Sequence, residues 1–134
     1  MKTIFIPTAK IVVLINRDIC CAEGNPHYLL KPGAVESALH SAFYPGDAPF
    51  AHGGIVSVAG ALAFYLCKSH AFQDGNKPAA LVASTLFMDE NGWDLRYPLQ
   101  PNALAEAIER CARGDVEIDQ LKQWYETHKV PVRN

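Results

Sequence analysis

The stretch His70-Ala71-Phe72-Gln73-Asp74-Gly75-Asn76-Lys77 gathers residue types that phosphate chemistry uses. Unperturbed histidine titrates near neutrality, which makes His70 the natural general base. Asp74 offers a hard oxygen ligand suited to Mg²⁺ bridging phosphates. Gly75 lets the backbone turn sharply and approach a ligand closely. Asn76 and Lys77 fall where an apolar helical pattern begins. Backbone N–H groups at a helix start are unpaired and collectively positive, and they attract phosphate oxygens. Asn76 suits the cap of that helix, and Lys77 adds a cation beside the same anion site. Phe72, apolar in a polar loop, reads as a buried pin that fixes it.

Each residue also has an ordinary explanation. A histidine at a helix end is often a C-terminal cap. Asp-Gly-Asn is a common turn sequence. Asparagine before proline at a helix start is ordinary capping. What lifts the set is co-occurrence within one loop.

That loop needs rigid elements on both sides, and the pattern supplies them. Residues 55–69 are apolar almost all round, through Val56, Val58, Leu62, Phe64, Leu66 and Cys67. Such a helix sits in the middle of a bundle. A second apolar run covers 78–90, through Leu81, Val82, Leu86 and Phe87, and stops at Asn91-Gly92. Upstream, Ile11, Leu14, Ile15 and Ile19 mark a helix over 8–22, closed by Gly24-Asn25-Pro26. Val35, Ala38, Leu39, Ala42 and Phe43 mark another, starting near Pro32. Residues 44–54 read as an exposed loop with room for a short hairpin. Leu104, Ala107, Ile108 and Cys111 mark a fifth helix. Ile118, Leu121, Trp124 and Tyr125 mark a sixth. The only other strand signal is an edge pair at Leu95-Arg96-Tyr97. The expected fold class is therefore all-α, a compact bundle of about six helices with at most one small hairpin. Residues 1–134 read as one domain.

Composition narrows the function classes. With 49% hydrophobic residues the chain of 134 residues can build a core. Twelve basic side chains against 14 acidic ones form no basic block, so an electrostatic footprint for nucleic acid is lacking. The apolar run 11–15 is too short to span a bilayer, and the N-terminal segment is a poor signal peptide. Cys20, Cys21, Cys67 and Cys111 fit neither a zinc site nor a disulfide framework by spacing. Buried free thiols in a reducing cytoplasm are the expectation.

The motif His-x-Phe-x-Asp-Gly-Asn-Lys resembles the signature of the Doc (death-on-curing) branch of the Fic family. Gly24-x-x-His27 followed by Gly33-Ala34-Val35-Glu36-Ser37-Ala38, and the tail Leu86-Phe87-Met88-Asp89-Glu90-Asn91-Gly92, are also similar to the family. The likeness runs from about Ile11 to Gly92. It implies a Fic/Doc-type helical bundle in which residues 43–54 occupy the place of the substrate-binding flap. His70 would deprotonate a target hydroxyl, Asp74 would hold Mg²⁺, and Gly75, Asn76 and Lys77 would bind the phosphates of ATP. Lysine at the Lys77 position implies γ-phosphate transfer, as in the Doc branch. Glycine there would imply AMP transfer, as in the Fic branch. The implied target is a threonine of elongation factor Tu, with arrest of translation. The implied partner is a Phd-type antitoxin, in the cytoplasm.

One motif position departs. Pro78 stands where the signature carries arginine. Arginine gives phosphate a planar, permanently charged fork, whereas proline supplies neither charge nor N–H. Proline is welcome in a first helical turn, so the fold is expected to survive while catalysis falters. Outside the loop, His52 reads as an exposed loop histidine, and Trp93 and Trp124 as packing residues. His27, His40 and His128 share no metal-ligand spacing.

Overall fold

The computed structural model describes residues 3–45, 50–96 and 102–132. Six helices follow one another: α1 (Ala9–Glu23), α2 (Ala34–Phe43), α3 (Ile55–Ser69), α4 (Asn76–Glu90), α5 (Ala103–Arg113) and α6 (Ile118–His128). Two short strands, β1 (Trp93–Leu95) and β2 (Lys129–Pro131), pair antiparallel with Asp94 opposite Val130. The fold is all-α with this one small strand pair.

Helix α3 is the axis, packed against α2, α4, α5 and α6. Its all-round apolar sequence explains the position: Val58, Ala59, Ala61, Leu62 and Ala63 are sealed from solvent. Close approach of α6 depends on Gly60. A Cβ added there would lie 2.7 Å from the Lys122 Cα, so only glycine permits this crossing. Tyr125 of α6 reaches across to Ser84 of α4, with 2.7 Å between hydroxyls.

Several ends differ from the periodicity. Helix α2 starts at Ala34, not Pro32, because Gly33 turns left-handed with φ 84° and serves as the N-cap. Helix α4 starts at Asn76, not 78, for the same reason at Gly75. No strand forms in the described residues of the expected flap, of which 46–49 lie outside the described residues. The strand expected near Leu95 is present but begins earlier, at Trp93; Tyr97 lies outside the described residues. Its partner comes from beyond α6, not from a neighbouring turn. No helix among the described residues is long and apolar enough to cross a membrane.

Candidate functional site

Chain direction reverses between α3 and α4, and the loop between them is held from several sides. His70 ends α3 with φ 49° and ψ 39°, a left-handed conformation uncommon for a non-glycine residue. That turn sends Ala71 and Phe72 into the core, where they are 1% and 2% exposed. Phe72 is therefore the pin expected of it.

Asn76 does something other than cap. Gly75 is the N-cap, and the Asn76 side chain turns back onto the loop. Its Oδ1 accepts from the Phe72 N–H at 3.0 Å, and its Nδ2 donates to the Phe72 carbonyl at 2.7 Å. The amide is thus occupied, and what Asn76 can offer a phosphate is its backbone N–H at the helix start.

From the opposite side comes Asn16 of α1, fully buried. Its Nδ2 donates to the Asp74 carbonyl at 2.7 Å. Its Oδ1 accepts from His27 Nδ1 at 2.9 Å and from the Cys20 thiol at 3.7 Å. Gly75 lies directly over this amide. A Cβ there would sit 2.7 Å from Asn16 Nδ2, and the φ of 78° already disfavours any side chain. Glycine is needed at 75 for two independent reasons.

Residues 28–30 form the third support. Leu29 and Phe72 make an isolated antiparallel bridge. Gln73 N–H donates to the Tyr28 carbonyl at 2.9 Å, and Leu30 N–H donates to the Ala71 carbonyl at 2.7 Å. The segment lying against the loop is this one, while His52, from the expected flap, is engaged with Ser41 and Lys122.

The backbone being fixed, the polar heads are left outside. His70, Gln73, Asp74 and Lys77 all line one open cavity of about 250 Å³. Cys67, Gly75, Asn76, Pro78 and Ala112 complete its wall. The volume falls below the ~300–1,000 Å³ usual for whole small molecules. Among the described residues, the His70 imidazole and the Asp74 carboxylate have no hydrogen-bond partner. Lys77 does have one: its Nζ donates to Glu109 Oε2 of α5 at 2.7 Å. That hydrogen bond, with the charge beside it, holds the Glu109 carboxyl below the usual range.

Pro78 lies in the first turn of α4 and on the cavity wall. It removes one of the N–H groups that a helix start leaves free. The first intrahelical bond runs from Ala79 N–H to the Gly75 carbonyl, so Asn76 and Lys77 retain theirs. A second recess of about 270 Å³, lined by Lys77, Pro78, Leu81, Ala105, Ile108 and Glu109, adjoins the first.

His70, Asp74, Gly75, Asn76, Lys77 and Pro78, singled out in the sequence, are thus brought together on one cavity, with Phe72 anchored beneath it. Asn16 and Glu109 were not singled out, and His27 was noted only within the Gly24-x-x-His27 segment and as lacking metal-ligand spacing; an asparagine in an apolar stripe was the available signal for Asn16. Among the described residues no three His, Cys, Asp or Glu side chains cluster as a metal centre. No protein-family model and no curated protein matches the chain.

Proposed function

We propose that this chain is a nucleotide-dependent protein transferase of the Fic/Doc type, the toxin of a toxin–antitoxin pair. The observation that carries the reading is the shared cavity of His70, Asp74 and Lys77 at the start of α4. ATP supplies its γ-phosphate to a hydroxyl of a translation factor, elongation factor Tu by the resemblance, and translation stops. A Phd-type antitoxin is the partner that restrains it.

In this reading the His70 imidazole takes the proton of the target hydroxyl as its oxygen bonds to the γ-phosphorus. The bond from that phosphorus to the bridging oxygen breaks, and ADP leaves. The N–H groups of Asn76 and Lys77 donate to phosphate oxygens, and the Lys77 ammonium neutralises charge beside them. A single carboxylate on a fixed backbone fits Mg²⁺, which keeps several waters and takes one or two carboxylates plus phosphates. Asp74 would hold that ion, which screens the phosphate charge.

The test restores the missing fork. Pro78→Arg is expected to raise transfer by about 10²–10³-fold, the usual effect of one group that meets developing charge. Label from γ-³²P-ATP should reach the protein target, and label from α-³²P-ATP should not. Transfer of the α-label instead would assign AMP transfer. A second reading, a binding module without catalysis, is favoured by Pro78 and by the engagement of Lys77 with Glu109. It predicts no label transfer by either protein and no magnesium-ATP binding in calorimetry, with partner affinity retained.

A further inference from the structure

We infer that Cys67 and Cys111 form an oxidisable dithiol, a disulfide-forming site in the wall of the loop cavity. Cys67 lies in the last turn of α3 and Cys111 in the last turn of α5. Both are free thiols, 2% and 0% exposed. Helices α3 and α5 pack together, which brings the two residues onto one seam. The Cys67 thiol also contacts the Ile108 carbonyl at 3.9 Å, one turn before Cys111, which sets it over the α5 backbone.

The other two cysteines lack this arrangement. Cys20 is turned to Asn16 and the Asp74 carbonyl, and Cys21 is exposed. The Cys67–Cys111 pair, unlike either of these, is a pair of buried thiols beside a solvent-connected cavity. Cys67 lines the loop cavity together with Ala112, the residue after Cys111. Cys67 is therefore the member of the pair that borders a solvent-connected space.

Electrostatics divide the pair. The hydrogen bond to Cys111, and then burial, push the Cys67 thiol well up. The hydrogen bond from Cys67 lowers Cys111, against its burial, and Lys68 lowers it further. One proton is held and the other is released more readily, and the thiolate is the reactive form.

With a hydroperoxide as oxidant the chemistry balances. A thiolate sulfur of the pair attacks a peroxide oxygen. The O–O bond breaks, hydroxide leaves and takes up a proton, and a sulfenic acid remains. The second sulfur attacks the first, the S–O bond breaks, and the S–S bond forms as water leaves. Two thiols and one hydrogen peroxide give one disulfide and two waters. The product ties the turn before His70 to the helix that carries Glu109.

The experiment treats the full chain carrying Cys21→Ser with hydrogen peroxide under native conditions and maps its peptides without reduction. The expected dominant linked species joins the Cys67 peptide to the Cys111 peptide and disappears on adding dithiothreitol. Cys67→Ala or Cys111→Ala should abolish it, with circular dichroism checking that the helices persist. The inference is overturned if that species is absent under conditions that oxidise Cys21 in the unsubstituted chain. It is equally overturned if linkage needs denaturant. A repeat with magnesium-ATP separates this site from the transferase reading. Linkage at an unchanged rate still establishes the dithiol, while counting against a nucleotide in the cavity.

Discussion

The two ends of α3 each carry a histidine, and the fold treats them in opposite ways. His52, just before the N-terminal end, is half-buried. Its Nε2 lies 3.0 Å from the Ser41 carbonyl, its Nδ1 lies 3.5 Å from Lys122 Nζ, and its ring packs 5.8 Å from Tyr65. Nearby, Ser57 donates to Glu126 at 2.7 Å. Polar side chains at this end join elements together. At the other end His70 is exposed on a left-handed turn. Structure there is supplied by Phe72, by two asparagine amides and by backbone pairing with residues 28–30. Of the side chains suited to chemistry, the fold leaves His70 and Asp74 unengaged and ties Lys77 to Glu109. That division marks the candidate site: a fixed main chain with His70 and Asp74 left unengaged.

The largest effect expected from disturbing this division is at the pin. Phe72→Ala removes a buried ring and should cost about 3–5 kcal/mol, read from denaturant unfolding. A cost under about 1 kcal/mol would mean that the loop is not anchored through the core. The two histidines give the sharper test. His52→Ala should lose roughly 1 kcal/mol, a modest half-buried hydrogen bond, and leave transfer by the Pro78→Arg variant intact. His70→Gly in that same background should hold stability or raise it by up to about 1 kcal/mol, since glycine accepts the left-handed turn, and should abolish transfer. The reverse pattern would exchange their roles.

The smallest effect concerns the one head that is engaged. Glu109→Gln removes the carboxylate competing with phosphate for Lys77 and should tighten inorganic phosphate or magnesium-ATP by a few-fold, measured by calorimetry. The ion pair also predicts a pH dependence. Because the folded Glu109 carboxyl titrates below its unfolded value, its contribution is present above the usual glutamate range. It is lost as pH falls through the lowered folded value. In Glu109→Gln the acid limb of phosphate affinity should lack this component. The pair is exposed, so the effect on overall stability should be close to nil.

Much of this was legible in the chain. Residues 55–69 were marked as a central helix by apolar character on every face, and α3 occupies that span. The candidate residues of the loop were legible because they are local: histidine, carboxylate, glycine and lysine follow one another between α3 and the start of α4. Its supports were not, because they come from afar. Asn16 meets Asp74 across 58 positions, and Lys77 meets Glu109 across 32. Nothing in spacing announces such pairs. Asn76 is not the cap that its position before the helix suggests, for a related reason. Capping geometry belongs to the residue that leaves the helical angles, and Gly75 took that place.

The sequence alone determined which segments are helical and which run lies at the centre, because periodicity reports the faces that must leave water. It also showed which polar side chains fall together in the loop between α3 and α4. Only the tertiary structure decided which of them stay unengaged and which are tied down. It alone set Cys67 over the α5 backbone at Ile108 and Gly75 over Asn16. The reason is that helical pattern arises from forces between near neighbours. Hydrogen bonds and thiol contacts between helices depend on how those helices cross, which close packing of the whole core fixes.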